Sequence, residues 1–165
     1  MPKTLLALLA LAGFLLILPQ PATAAPEALG CFTRTYDRAH LARHPDQLVT
    51  AVKLRVYRPS PGEITRGNYW FLAQFSLRGS DEPLRASGLC DETAKGLHCF
   101  VECDGGAVDV VPRARAAMMY LDRIRAAKCG QEVDGDGQEL TGGKDDRVFR
   151  LDRVDSAPCA GMKPY

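Results

Sequence analysis

His40 and His44 stand four residues apart, the spacing at which one helical turn presents two imidazoles to a single metal ion. Asp37 or Asp46 would add an oxygen ligand. Three features weigh against that chemistry. Pro45 follows His44 and biases it out of helix, Leu41 stands where a zinc-protease motif needs its glutamate base, and no third histidine is close in sequence. The competing role is structural: these side chains cap a turn and pin it to the body of the fold. Metal ligation by His40, His44 and Asp46 is therefore the alternative, and no metal or cofactor is assigned.

A second pattern, Glu132-x-Asp134-x-Asp136-Gly137, looks like the opening of a calcium loop. Its twelfth position is Gly143, where such a loop needs a bidentate glutamate. An acidic surface loop is the expectation there. Nucleophilic catalysis lacks even a motif, since the chain has no Gly-x-Ser-x-Gly elbow. With 20 acidic residues available, choosing a carboxylate pair for sugar hydrolysis would be arbitrary. His98 shares a strand face with Phe100 and Glu102, either outward or lining a barrel. Tyr57, Trp70, Phe71, Phe75 and Phe100 read as core and rim. No catalytic residue is assigned.

The elements that must position these groups are strands. Apolar and polar residues alternate through Leu48–Arg58, with Leu48, Thr50, Val52, Leu54 and Val56 on one face, and again through Tyr69–Arg78. Leu84–Glu92 and Leu97–Cys103 form a hairpin around Thr93–Gly96, and Ala107–Pro112, Ala116–Arg125 and Arg147–Val154 follow. Pro, Gly and Asp clusters separate the runs. Six or seven short strands predict an all-β antiparallel meander, closed into a small β-barrel because closure removes sheet edges. A two-sheet sandwich is the alternative. One short N-terminal helical turn is expected over Arg38–Arg43, capped by Asp37.

Six cysteines decorate this scaffold: Cys31, Cys90, Cys99, Cys103, Cys129 and Cys159. None forms a Cys-x-x-Cys pair, so three disulfides are expected in an oxidising compartment. The hairpin sets Cys90 opposite Cys99, within cross-strand reach. Cys99 and Cys103 share a strand about 13 Å apart and cannot bond each other. Pairing Cys103 with Cys129 leaves Cys31 with Cys159, tying the termini together.

The first 24 residues read as an address. Lys3 precedes an apolar run from Leu5 to Leu18, and Ala22–Thr23–Ala24 supplies a cleavage site. Those 14 residues cover about 21 Å as helix, short of a ~30 Å bilayer core. A signal peptide over 1–24 and one disulfide-stapled β-domain over 25–165 follow, with no membrane span after cleavage. Leu29 sits two residues before Cys31, whereas a lipid-attachment box places its aliphatic residue three before.

Charge is balanced, with 21 Lys and Arg against 20 Asp and Glu, so there is no electrostatic case for nucleic-acid binding. The balance is uneven along the chain: Cys31 to Ser80 holds eight basic and three acidic residues.

The segments His40–Gln47, His98–Gly106, Tyr120–Arg125 and Lys144–Val154 resemble a family of small secreted proteins from proteobacteria. That resemblance implies a periplasmic setting and carries over no catalytic residue. The expected function is a periplasmic or secreted, non-catalytic binding module for an envelope protein or a small ligand; a metal-binding role is the alternative.

Overall fold

The computed structural model describes residues 25–60, 62, 69–125 and 139–164. The expected signal peptide, the acidic pattern from Glu132 to Gly137 and Cys129 lie outside them. Among the described residues no helix is long and apolar enough to cross a membrane.

The fold is a closed antiparallel barrel of eight strands with a ninth added outside. Strands β1 (Gly30–Thr35), β2 (Val49–Tyr57), β3 (Tyr69–Leu77), β4 (Leu84–Thr93), β5 (Gly96–Val101), β6 (Gly106–Arg113) and β7 (Ala116–Arg125) run as a meander. The chain then returns as β9 (Val148–Val154) between β7 and β1, closing the ring. The three-residue β8 (Glu139–Thr141) pairs with the end of β7, outside it. The barrel expectation holds, and the first and last barrel strands are neighbours.

Two strands, β1 and β8, carry no period-two signal in the sequence, and the reason is local. In β1 only Phe32 is an inward apolar side chain flanked by polar residues, too short a pattern to register as period two. β8 is too short to show any period. Helix α2 (Arg38–Arg43) matches expectation closely: the Asp37 carboxylate accepts from the His40 backbone N–H at 2.6 Å, and His44 caps the far end. A further helical turn, α1 (Ala25–Ala28), packs on β5 and β6 with Ala28 buried. Arg153 fastens it by donating to the Leu29 carbonyl at 2.7 Å and to the Glu27 carbonyl.

One face assignment is corrected. The sequence pattern puts Leu48 and Thr50 on one face with Val52, Leu54 and Val56, yet Val49 is fully buried and Leu48 exposed. A register shift between Val49 and Ala51 flips the alternation at the start of β2, and Val52, Leu54 and Val56 then face inward as expected.

The β4–β5 ladder runs to Thr93 opposite Gly96, leaving Ala94–Lys95 as a two-residue loop rather than the four-residue one expected. Between β5 and β6, Cys103 and Asp104 both adopt left-handed backbone, φ 60° and 58°, so β5 ends at Val101 and Cys103 belongs to a turn. Gly106 follows at φ +100°, where a Cβ would lie 2.0 Å from the Arg123 carbonyl oxygen.

The interior is filled. Phe32, Leu54, Phe71, Phe75, Leu97, Met119, Phe149 and Leu151 point inward and are almost completely buried. Phe75 and Phe149 meet with ring centroids 6.2 Å apart. An eight-stranded barrel is just wide enough for its own side chains, and this one uses that volume for packing.

Candidate functional site

The polar stretch at α2 forms a corner against the barrel. The rings of Tyr36, His40 and His44 stack in sequence, with centroids 4.6 and 4.3 Å apart. His40 Nε2 lies 2.9 Å from Gln47 Oε1, and the buried Gln47 amide donates to the Val49 carbonyl at 2.7 Å. The Gln47 oxygen only accepts, so His40 carries its proton on Nε2. Arg78 donates to the carbonyls of Leu41, His44 and Gln47. From almost a hundred residues further on, buried Asp146 accepts from the backbone N–H groups of Leu48 and Val49 at 2.6 and 3.1 Å. Burial pushes the Tyr36 phenol above its ordinary range; Arg34 opposes that shift and Asp146 adds to it.

This geometry does not form a chelate. The imidazoles of His40 and His44 lie within 18° of parallel, so their in-plane lone pairs do not converge on one point. Asp46 is exposed, and the carboxylate facing His44 is Asp145, at 3.6 Å. Among the described residues, no three His, Cys, Asp or Glu side chains gather as a metal site. The two histidines are brought together, but as stacked rings.

His98 behaves differently. It faces outward from β5, and its Nδ1 lies 2.6 Å from Asp109 Oδ1 on β6. A carboxylate accepts, so Nδ1 carries the proton. Strand pairing extends this row across the wall, from His98 to Asp109 to Tyr120 to Val148. Phe100 meets the His98 ring edge-on at 4.6 Å. Phe100, Tyr120 and Val148 are 50%, 38% and 45% exposed, which puts three of the four large exposed apolar side chains among the described residues on this wall. Half-buried Val111 and Met118 pair beside them. Sequence alone singles out His98 and Phe100 but not Tyr120 and Val148. Their polar-face phase was legible; their adjacency was not, because it depends on β9 returning beside β7.

Two disulfides fall where expected. Cys90 and Cys99 are cross-strand partners inside the barrel, Cα atoms 3.9 Å apart. Cys31 bonds Cys159, which lies in the 3-10 turn Ala157–Cys159 and pins the C-terminal segment to the outside of β1 and β2. Cys103 is also disulfide-bonded, and its expected partner, Cys129, lies outside the described residues. Phe71 and Phe75 are core, whereas Tyr57 and Trp70 pair on the outer face.

Comparison of the chain with protein-family models, curated proteins and solved structures finds no match.

Proposed function

We propose that this chain is a non-catalytic binding module of the periplasm or the secreted space, docking a partner protein on the outer wall formed by β5, β6, β7 and β9. One observation carries the reading. Large apolar side chains fill the barrel interior, while Phe100, Tyr120 and Val148 are left uncovered together on one wall. Aromatic side chains around a hydrogen-bonded polar pair are a composition that interface centres favour. The His98–Asp109 pair would add orientation, since a partner must satisfy or replace it on desolvation. A filled interior argues against a small ligand carried inside.

The setting rests on the signal-like first 24 residues, the cystines and the resemblance to small secreted proteobacterial proteins. Balanced charge supports a partner other than nucleic acid. The parallel stack of His40 and His44 weighs against the metal-binding alternative.

A photo-crosslinking residue at position 120, compared with one at position 74 on another wall, tests the site in the exporting cell. The expected result is one discrete adduct from position 120 that Phe100→Asp abolishes while the protein stays folded. Equal adducts from both positions, or none from position 120, would overturn the assignment.

A further inference from the structure

On a different wall, the barrel carries a cleft of about 350 Å³ between strands β2–β4 and the C-terminal segment. Lys53, Gln74 and Arg85 are direct cross-strand neighbours and form one outward row across its floor. At 4.7–4.9 Å per strand, the Lys53 and Arg85 backbones stand about 10 Å apart, close enough for both long side chains to reach one group. Lys163 faces them from the C-terminal segment, which Cys31–Cys159 anchors and Gly161, at φ +81°, turns.

The charge in this cleft is one-sided. Among the described residues, its lining holds three cations and no carboxylate. Among the described residues, neither Lys53, Arg85 nor Lys163 has an ion-pair partner. The carboxylate on the same row is Asp152, two strands beyond Lys53, and Arg34 and Arg150 already occupy it at 3.2 and 2.9 Å. Like charges gathered without a counter-charge repel, and the chain as a whole is nearly neutral, so general basicity does not account for them. Beside the cations lies the thioether of half-buried Met162, an apolar surface for an organic body.

We propose that this cleft binds a small molecule bearing a phosphoryl group. Arg85 supplies a planar fork for two of its oxygens, Lys53 and Lys163 supply point charges, and the Gln74 amide donates between them. Met162 takes the apolar part of the ligand. This site is separate from the β5–β9 wall and does not depend on the partner-docking reading.

Isothermal titration of the oxidised mature protein with phenyl phosphate at low salt tests the proposal, with inorganic phosphate and phenol as separate probes. Saturable one-to-one binding of phenyl phosphate is expected, tighter than phosphate alone, with no heat from phenol. Lys53→Gln, Arg85→Gln and Lys163→Gln should each weaken it about tenfold, the scale of a lost charge-assisted hydrogen bond, with unchanged melting temperature. Absence of saturable binding, or affinity indifferent to all three substitutions, would overturn the site. Phe100→Asp should leave the titration untouched.

Discussion

The α2 corner and the β5–β9 wall both carry histidine beside aromatic rings, yet they use them in opposite ways. At the corner, His40 is held by Gln47, Gln47 by Val49, and Asp146 by two backbone N–H groups, all within hydrogen-bond distance. Those hydrogen bonds fix a loop to the barrel. On the wall, the His98–Asp109 pair stands beside Phe100 and Tyr120, whose apolar surface is left exposed. Histidines stacked with satisfied donors are structural elements; apolar groups left uncovered beside a polar pair are available to another molecule.

Several experiments would break or sharpen that contrast. The largest expected effect bears on the scaffold holding both regions. Reduction of all disulfides should lower the melting temperature by roughly 20 °C, taking about 2–4 kcal/mol per bridge and about 2–4 °C per kcal/mol. The Cys31–Cys159 bond closes a separation of 128 residues and Cys90–Cys99 one of nine. Chain entropy then assigns about 5 kcal/mol to the first and about 3 to the second, so Cys31→Ala with Cys159→Ala should cost more. An unchanged melt in reductant would remove the disulfides from the account of stability.

Next comes the corner itself. Asp146→Ala leaves two backbone N–H groups without their acceptor and should cost about 3 kcal/mol in urea unfolding. His40→Ala with His44→Ala should cost about 1–2 kcal/mol through lost stacking and the Gln47 hydrogen bond. Zinc should shift the melting temperature of this variant and of the parent protein equally. A shift in the parent alone would revive metal ligation.

The wall should respond least. Phe100→Asp, at a half-exposed position, should change stability by less than about 0.5 kcal/mol while removing the crosslink from position 120. At the turn ending β6, Ala114 holds φ 37°, a left-handed conformation that costs an alanine about 1 kcal/mol. Ala114→Gly should recover most of that and raise the urea midpoint without disturbing the wall.

Much of this architecture was readable before the structure. The alternation in Tyr69–Arg78 put Phe71, Ala73 and Phe75 on one face, and the hairpin around Thr93–Gly96 set Cys90 against Cys99. Asp37 announced the start of α2 because an N-cap is a local contact, three residues long. What stayed hidden depends on distant segments. Asp146 reaches Leu48 across 98 residues, and Tyr120 meets Val148 only because β9 returns beside β7.

Local periodicity, turn residues and cysteine spacing therefore determined an antiparallel, disulfide-stapled β-domain by themselves, since each reports on neighbours within a few residues. The tertiary structure decided that the barrel is filled, that His40 and His44 stack instead of chelating, and where two outer walls gather apolar and cationic side chains. Those outcomes follow from which strands pair across the closed ring. A residue's own strand fixes the face it occupies, but only strand order fixes the company it keeps on that face.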